Sequence, residues 1–549
     1  MTERARVLIG RVLPMTGRGE FAEAVAWEGD EVVALGSETD VLAAAGDEAE
    51  VERVDGLIMP GFVDAHHHFS IAALHREAVD CWGVSDYEEL QAVLRGAAET
   101  TPAGTWIYAV GYDEQELASR EHPPLEVLDE ALPDHPLCLV HYSCHSAVTN
   151  SAGLEAAGID TRTPDPAGGR IERGRHGRPT GRLEETAMGL VEAKARESLL
   201  GRSGEEFFGR LEEYASELLA SGITCIADPT VTPDFENIYH AASQEGRLPL
   251  RVVMMPVGSA SYLDPPVERL DGPPTGEGDD WLRVGPVKLF FDGAPACAMC
   301  VSLTQAMGMS MRMLGRALSR GSLESMRVMS SMGGRMEGMA MKTGELYHPH
   351  ERASALVDDI LDHGFDVAVH AIGNEAISQA VDVLADADHD HIRRIEHAGV
   401  IDEEDVPRLV DAGIDVVTQP GFLSMPSYEH MVPISGVRLI PVRSFLDAGG
   451  RVVASSDTPV IDPDPMIGVR KAVTRTVAGG DQLGPEEAVD LEAALALYTR
   501  EPAELLDMPG GVLEPGRPAD IVVLSPDPFD DLDGARVERT IMAGGDIHR

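Results

Sequence analysis

The stretch GLIMPGFVDAHHHF (56–69) sets a short apolar run directly before three consecutive histidines. We predict a buried strand here, because short apolar runs bounded by glycine and proline are typical of strands. Alternate side chains of an extended chain share a face, so His66 and His68 should point together and His67 away from them. Two imidazoles at one strand end can bind a divalent metal, although histidine pairs also occur without one.

Seven further apolar runs follow along the chain and have the same character. They cover residues 223–228, 250–257, 284–293, 365–373, 393–399, 414–420 and 451–457. Helical apolar spacing separates several of them, as in residues 204–220, 350–364 and 403–413. Short apolar strands that alternate with helices predict parallel β-α-β units. Eight such units predict an α/β fold of the TIM type, a (β/α)8 barrel.

The two ends of the chain have a different pattern. Residues 1–59 and 504–549 contain short alternating or apolar runs with Gly, Asp and Glu at the turns, which is typical of β-strands. We predict one small β-sandwich domain built from both termini, with residues 1–59 as its first part and residues 504–549 as its second. The barrel then occupies residues 60–503.

Two stretches interrupt the alternation of the barrel. Residues 75–200 contain proline and glycine clusters, and we interpret them as an insertion between the first and second strands. Residues 299–341 hold eleven of the 22 Met. Because methionine packs adaptably, this Met-rich segment is either a loosely specified helical hairpin in the core, which we favour, or a mobile lid that contacts substrate.

Four residues suited to metal or proton chemistry lie on later strands. His370, His397 and Asp457 end the runs DVAVH, RRIEH and VVASSD, and Lys288 lies within GPVKLFF. Each has a structural alternative, since a strand-end His or Asp can cap a helix and a Lys can extend to the surface. Active sites of TIM barrels lie at the carboxyl ends of the strands. Their shared position therefore favours a common site.

The composition limits the function classes. Lys plus Arg is 44 and Asp plus Glu is 93, so the net charge is −49, which argues against nucleic acid or an anionic membrane as a partner. Only four of the basic residues are Lys. We interpret this acidic, Lys-poor composition as halophilic; a GC-rich genome would explain the arginine bias but not the full charge.

Cysteine usage and hydropathy point to a cytoplasmic protein. Six Cys in 549 residues do not form a disulfide framework, and the pair Cys297/Cys300 lacks a second pair with zinc-site spacing. The first twenty residues lack a sustained apolar run. No segment reaches the ~18 apolar residues of a membrane helix.

The set of strand-end residues resembles the amidohydrolase superfamily, which has HxH on strand one, Lys on strand four, His on strands five and six, and Asp on strand eight. The chain is similar in particular to amidohydrolase family 3, the branch that includes N-substituted formamide deformylases. The resemblance covers about residues 5–545. It is carried by the stretches HYSCHSAVTNSAGL (141–154), PAGGRIERGRHGRPTGRLEETA (166–187), VKLFFDG (287–293), VAVHAIGNEAI (367–377), RRIEHA (393–398), SSDTPV (455–460) and VLEPGRPADIVVL (512–524).

Two stretches depart from the branch. These are DGAPACAMC (292–300) and the Met-rich segment after it. Both lie where substrate contacts are plausible. The substrates of the family therefore do not transfer directly to this chain.

The resemblance implies a hydrolase of carbon–nitrogen bonds other than peptide bonds, with water activated by a divalent metal, for which we expect zinc. It implies that four histidines ligate the metal: His66, His68, His370 and His397. Asp457 would accept a proton from the attacking water, transfer it to the leaving nitrogen and also serve as a ligand. Lys288 would bridge two metal ions as a carbamate; otherwise one metal lies on the histidines and Lys288 only forms a hydrogen bond.

Further candidates lie beside the strand-end set. We expect four residues to line the substrate site: His145, Asp292, Tyr112 and Glu185. A purely structural position is the alternative for each. Asp292 follows Lys288 by four residues and so shares its strand face. Glu396 directly precedes His397, so we expect its side chain to point away from the site.

The leading hypothesis is therefore the hydrolysis of a small-molecule amide. A deaminase, in which the same water attacks a ring carbon and expels ammonia, or a cyclic amidohydrolase is the alternative on the same scaffold. The alternative from another class is a non-catalytic metal-binding barrel. We further expect one or two metal ions per chain, no nucleic-acid or membrane partner, and assembly as a homodimer.

Overall fold

The structure is a computed structural model that describes residues 4–166, 169–200, 204–257, 269–293, 297–320, 334–387 and 391–548. Two features discussed above extend outside these ranges. The Met-rich segment includes residues 321–333, and the stretch DGAPACAMC includes residues 294–296.

Strands occur along the whole described chain and group into six sheets. In chain order they are β1 (Arg6–Val12), β2 (Ala22–Glu28), β3 (Glu31–Gly36), β4 (Glu50–Pro60), β5 (Phe62–Asp64), β6 (Val79–Asp80), β7 (Ile107–Tyr112), β8 (Leu137–His141), β9 (Ser146–Val148), β10 (Gly169–Arg173), β11 (Pro179–Glu185), β12 (Ile223–Val231), β13 (Arg251–Pro256), β14 (Leu282–Val284), β15 (Val287–Phe290), β16 (Met299–Ser302), β17 (Arg335–Glu337), β18 (Ala340–Thr343), β19 (Val367–Ala371), β20 (Arg393–His397), β21 (Val400–Asp402), β22 (Asp415–Thr418), β23 (Val437–Leu439), β24 (Val452–Ala454), β25 (Ile521–Ser525), β26 (Arg536–Met542) and β27 (Gly545–His548).

Helices fill most intervals between the strands. In chain order they are α1 (Glu38–Ala45), α2 (Phe69–His75), α3 (Tyr87–Thr100), α4 (Leu125–Ala131), α5 (Ser151–Ala157), α6 (Gly189–Leu200), α7 (Gly204–Ala220), α8 (Pro233–Gln244), α9 (Leu303–Arg320), α10 (His350–Asp362), α11 (Asn374–Ala385), α12 (Asp405–Asp411), α13 (Pro426–Glu429), α14 (Arg443–Ala448), α15 (Pro465–Thr474), α16 (Leu491–Ala496) and α17 (Arg500–Leu505). Within the described ranges, none of the helices combines the length and the apolar content that crossing a membrane requires.

Both ends of the chain build one seven-stranded sheet, in the order β27-β26-β25-β4-β1-β2-β3. Its central strand β4 pairs in parallel with β1 and antiparallel with β25. The two termini therefore meet in a single sheet. The second layer of a sandwich stays a prediction, because the strand pairings define only this one sheet.

The middle of the chain has the predicted alternation of strands and helices. Two parallel sheets, ordered β14-β13-β12-β5 and β15-β19-β20-β22-β24, contain strands at all eight predicted positions. A parallel bridge between Val257 and Lys288 links the two sheets. No strand pairing in the described ranges joins β24 to β5. The observed architecture is thus a TIM-barrel-like α/β fold whose closure is not seen in the strand pairing.

Backbone contacts beyond the strand ends nevertheless bring the last strand back to the first. The Asp457 N–H donates to the His66 carbonyl at 2.9 Å, and the His68 N–H donates to the Thr458 carbonyl at 3.0 Å. Small apolar side chains of six strands also pack in one interior cluster. They are Val63, Ala227, Val253, Ala368, Val417 and Val453.

Burial explains why these runs form strands. All nine residues of β12 are buried, as expected for a parallel strand covered on both faces. Gly61 lies between β4 and β5, where a Cβ would collide with the Thr224 side chain. Only glycine therefore lets the chain pass from the terminal sheet into β5 at this close approach.

The interval between β5 and β12 contains its own six-stranded sheet, in the order β10-β11-β9-β8-β7-β6. This sheet lies within residues 75–200, where the sequence suggested an insertion. The turn after β8 brings Ser143, Cys144 and His145 to the cavity described below. The insertion thus contributes to the surroundings of the strand ends.

The prediction of a hairpin for the Met-rich segment falls partly on residues 321–333, which lie outside the described residues. In the part that the structure describes, α9 buries Met309 and Met313, and β17 pairs with β18, which pairs on with β16. Met307 and Met311 are exposed. The reason is the spacing of the methionines, since Met307 and Met311 lie one turn apart on the side of the helix opposite the core.

Candidate metal centre

β5 ends at Asp64, and the chain bends at Ala65 and His66 before it reaches α2. His66 is fully buried and His68 nearly so, and both approach Asp457. His67 points to the opposite side, where one ring nitrogen lies 2.6 Å from the Tyr214 hydroxyl. His66 and His68 therefore face Asp457 together and His67 faces away, although the three histidines follow the strand rather than belong to it.

A side-chain network fixes this segment beside the end of β24. Asp64 accepts hydrogen bonds from the Ser456 backbone N–H at 3.0 Å and from its hydroxyl at 2.6 Å. The other ring nitrogen of His67 lies 3.0 Å from Asp64 Oδ2. Because Ser456 directly precedes Asp457, these bonds position the carboxylate against the two imidazoles.

His66, His68 and Asp457 form the core of a buried cluster. The Nε2 atoms of His66 and His68 lie 3.2 and 3.3 Å from Asp457 Oδ1. All three offer ligand atoms within 4.8 Å of one another. Two imidazoles and a carboxylate converging on one point make a donor set that suits zinc and similar divalent metals.

His370 and His397 complete the group from the ends of β19 and β20. The two rings lie 4.5 Å apart between centroids, and the His397 ring lies 4.9 Å from that of His66. His397 donates from Nδ1 to Gln419 Oε1 at 3.0 Å, which leaves the lone pair on Nε2. Among the described residues, His370 Nε2 is buried without a hydrogen-bond partner. Such an orphaned buried nitrogen fits a metal ligand.

The protonation states also suit metal binding. Burial lowers the pKa of His68 to about 4 and that of His397 to about 3, and it lowers the pKa of His370 well below its usual value. Burial opposes the ionisation of Asp457, but His397 and His66 outweigh it and hold its pKa well below the usual range. At neutral pH these three imidazoles are therefore neutral and Asp457 is a carboxylate, the forms that ligate metals.

Lys288 lies within β15 and is buried at the same cluster. Its Nζ atom is 3.4 Å from His66 Nε2, and the side chain does not extend to the surface, since the residue is 1% exposed. Burial lowers the pKa of Lys288 to about 8. A sizeable fraction of the amine is then uncharged near neutral pH.

The prediction that the Glu396 side chain points away from the site is wrong. Its carboxylate accepts a hydrogen bond from His66 Nδ1 and another from Arg394 Nε at 2.6 Å. Alternation fails here because His397 has a positive φ of 77°, which turns its imidazole back toward the centre. The opposite charges of Arg394 and Glu396, two residues apart within the strand RRIEH, were the sequence signal for this role.

His145 and Glu185 form a pair above the cluster. His145 lines the cavity, and its ring lies 5.7 Å from that of His370. Its Nδ1 is 2.8 Å from Glu185 Oε2, which also accepts a hydrogen bond from the Tyr347 hydroxyl. Burial opposes protonation of His145, but Glu185 raises its pKa overall. Glu185 thus acts on the site through His145.

Tyr112 and Asp292, the other two expected substrate residues, have different surroundings. The Tyr112 hydroxyl lies 3.0 Å from His122 Nδ1 within the insertion. The Asp292 carboxylate accepts backbone N–H bonds from Ala298, Ile372 and Gly373 at 2.9, 3.0 and 2.9 Å. Neither residue lines the cavity. Asp292 instead joins the loop after β15 to the end of β19, 3.6 Å from His370 Nε2.

A cavity opens above the cluster. Its walls combine the buried polar centre with apolar side chains, among them Ile71, Val140, Met188 and Phe290. A small, mostly apolar pocket with a few convergent polar groups is typical of a small-molecule site.

Known proteins are similar to this chain in sequence. The model of the amidohydrolase family matches residues 55–545. N-substituted formamide deformylase of Arthrobacter pascens is 29% identical over 99% of this chain and 97% of its own length. Protein LONG AFTER FAR-RED 3 of Arabidopsis thaliana is 27% identical over 96% of this chain and 88% of its own length.

Solved structures share the fold at lower identity. An uncharacterized metal-dependent hydrolase of Pyrococcus horikoshii superposes with a TM-score of 0.71, 22% identity and coverage of 96% of this chain and 98% of its own. One of Pyrococcus furiosus has a TM-score of 0.69, 23% identity and coverage of 96% and 100%. Because the family match spans most of the chain, with the cluster on its strand ends, the protein belongs to the amidohydrolase family.

Proposed function

We propose that the protein is a metal-dependent hydrolase that cleaves a non-peptide carbon–nitrogen bond, an amide, of a small molecule. The observation that carries the proposal is the buried cluster of imidazoles and one carboxylate at the base of the cavity. Its protonation states favour a bound cation over an ion-pair network. The fold that positions it is proposed to be a closed (β/α)8 barrel, with the terminal sheet folded over as a sandwich.

The proposed ligands are the groups whose donor atoms converge. They are His66, His68, His370, His397 and Asp457, with Lys288 as a sixth. Zinc is the metal we propose, since imidazole and carboxylate donors suit it. When bound, the metal would polarise the carbonyl and lower the pKa of water to about 7.

The residues of the chain supply the remaining steps. The Asp457 N–H donates to the His66 carbonyl and the preceding Ser456 donates to Asp64, so the Asp457 carboxylate is held in place to accept a proton from the attacking water. The same carboxyl then delivers this proton to the leaving nitrogen, which departs as a neutral amine. Glu396 keeps the proton of His66 on Nδ1, so that Nε2 keeps its lone pair for a metal ion.

Lys288 is proposed to carry a carbamate. Its amine is partly uncharged near neutral pH because burial lowers its pKa to about 8. An uncharged amine adds to carbon dioxide, loses a proton and becomes an anion. That anion would lie next to His66 Nε2 and allow a second metal ion in the centre.

The substrate class rests on the relative from Arthrobacter pascens, which is named for the deformylation of N-substituted formamides. Its similarity supports an N-formyl or N-acyl amide as substrate. The apolar wall of Ile71, Val140 and Met188 agrees with a substrate whose leaving amine carries an apolar group.

The proposal is tested by elemental analysis of metal per chain, followed by an assay of amine release from N-formyl and N-acyl amides. The protein is purified in high salt without chelator. About two ions per chain support the carbamate-bridged centre, and about one supports a centre on the histidines alone with Lys288 unmodified. No metal after reconstitution, or no amine release from any amide by the metal-loaded protein, contradicts the proposed function.

A further inference from the structure

Exposed apolar side chains concentrate on one segment of the described chain. Thirteen large apolar residues are exposed among all the described residues, and seven of these thirteen lie between residues 303 and 339. We name these seven the α9 patch: Leu303, Met307, Met311, Leu314, Leu318, Met336 and Met339. Single exposed apolar residues are ordinary, whereas a contiguous patch indicates a surface that docks a partner.

Five members of the α9 patch form a stripe along the outer face of α9. Their separations of four, four, three and four residues return to the same side of a helix. Met311, in the middle of the stripe, is 74% exposed and Leu318 at its end is 77% exposed. The opposite face of α9 packs against the rest of the protein, since Met309 and Met313 belong to a buried hydrophobic cluster. The stripe is therefore a second apolar face with no contact inside the described chain that buries it.

The strand pair β17–β18 extends the stripe sideways. The Leu303 N–H donates to the Met339 carbonyl at 3.0 Å, so Met339 lies beside the start of α9. Two glycines flank the stripe, and a Cβ at Gly308 or at Gly315 would meet no atom within 4 Å. The absence of side chains there lets a partner helix approach the backbone closely.

The charge distribution favours a second copy of this chain as the partner. Residues 299–320 contain three Arg and no Asp or Glu, although the whole chain has a net charge of −49. Two copies repel each other over most of their surfaces. Contact centred on α9 brings few acidic groups together, since Glu337 on β17 is the acidic residue among the described parts of the patch. An anionic membrane would instead repel the rest of the molecule.

The size of the patch also fits a dimer. The exposed parts of its seven side chains amount to an apolar area on the order of 800 Å², which matches one side of a standard protein interface. Methionine adapts its shape to a facing surface. A patch that meets its own copy closes into a two-fold dimer and leaves no patch free for further association.

We propose that the α9 patch is a homodimer interface in which α9 packs antiparallel against α9 of a second copy, with Met311 near the two-fold axis. The α9 patch contains none of the candidate metal ligands. The dimer and the hydrolase activity are thus separate claims, and either can fail without the other.

The first test is the molar mass in solution by light scattering, over a dilution series of the full-length protein. We expect a dimer for the unmodified protein and a monomer for Met311→Glu at the same concentrations. The charge enters the interface twice, so the dimer affinity should fall about 100-fold or more. Ile547→Glu is the matched control for a second variant, Leu314→Glu, because both positions are 50% exposed. Dimers should persist in the control and dissociate in Leu314→Glu.

A second measurement locates the contact even if a charged variant misfolds. Met311→Cys should form a disulfide between copies on mild oxidation, visible as a dimer band that reductant removes, whereas Ile547→Cys should not. The dimer should also tighten with added salt, because screening relieves the repulsion between acidic surfaces. A monomeric unmodified protein overturns the proposal, as does a dimer that survives Met311→Glu. A monomer that cosediments with phosphatidylserine vesicles through this helix overturns it in favour of a lipid surface.

Discussion

Asp457 has two tasks in the proposed centre, and substitution separates them. Asp457→Asn keeps an oxygen near His66 and His68 but removes the group that accepts a proton. We expect kcat to fall by about 10³-fold, within the range for loss of a positioned general base, while part of the metal is retained. Asp366→Asn is the control, because that buried carboxyl lies before β19, at the opposite end of the strands. Equal activity of Asp457→Asn and the unmodified protein would contradict the mechanism.

Glu396 orients His66, so the Glu396→Gln variant should lower the affinity for metal rather than the activity of the metal-loaded protein. In Glu396→Gln the amide N–H₂ can face Nδ1 and shift the proton of His66 to Nε2, which removes a lone pair from the centre. We expect metal affinity to drop about 10- to 100-fold, measured by competition with a chelator. Glu375→Gln, which only loses an ion pair with Lys342, should leave the chelator midpoint unchanged. Activity of Glu396→Gln should recover when excess metal is added.

The buried carboxyl group of Asp292 should make the free energy of unfolding depend on pH. Burial raises its pKa to about 7, although hydrogen bonds from three backbone N–H groups lower the pKa in part. Between about pH 4 and 7 the folded state therefore holds a proton that the unfolded state has lost, so the free energy of unfolding falls as the pH rises across this range and levels off above pH 7. The free energy of unfolding of the unmodified protein relative to Asp292→Asn should be about 2 kcal/mol larger at pH 5 than at pH 8. Urea titrations at both pH values measure this difference, and a constant difference would refute it.

Individual residues were predictable where a strand end alone defined their position. His66, His68, His370, His397 and Asp457 each end an apolar run, and the structure brings them to one point. The role of Glu396 depended on a positive φ at His397, which no strand alternation anticipates. Tyr112 and Asp292 were placed by their neighbours in sequence, but backbone and ring partners from distant segments decide where their polar atoms point.

The joint between the terminal sheet and the parallel strands contains a buried ion pair. Arg251 of β13 donates to Asp520 at 2.8 Å, and both side chains are at most 4% exposed. Asp520→Asn would leave the guanidinium buried without its counter-charge, which costs about 3–5 kcal/mol. We expect a lower urea midpoint for this variant. Asp447→Asn, which breaks the exposed pair with Arg443, should change stability by about 1 kcal/mol or less.

Elements were predictable to the extent that apolar periodicity specified them. The helix over residues 204–220 and the eight parallel strands followed from local patterns, and the structure has them. The six-stranded sheet of the insertion did not, because its strands pair across Pro/Gly-rich turns that carry little periodicity. The pattern of α9 predicted a helix but not its exposure, since two apolar faces look alike in sequence.

The charge of the whole molecule predicts a requirement for salt. With a net charge of −49, the folded state suffers self-repulsion that screening relieves, because the Debye length shrinks from about 8 Å at physiological salt to about 3 Å at 1 M. The free energy of unfolding should rise between 0.15 and 2 M KCl. Urea is the denaturant of choice, since guanidinium is itself a salt. Stability that is indifferent to KCl would argue against a halophilic adaptation and for nucleotide composition as the source of the arginine bias.

The position of β4 has a consequence for how the protein is made. One edge of β4 pairs with β1 near the start of the chain, but the other edge pairs only with β25, which begins at Ile521. A ribosome must therefore synthesise more than four hundred residues while this edge stays open. Because Gly61 joins β4 directly to β5, the strand that precedes His66 adjoins this late-forming sheet. β4 can be paired along both edges only after translation has passed residue 525.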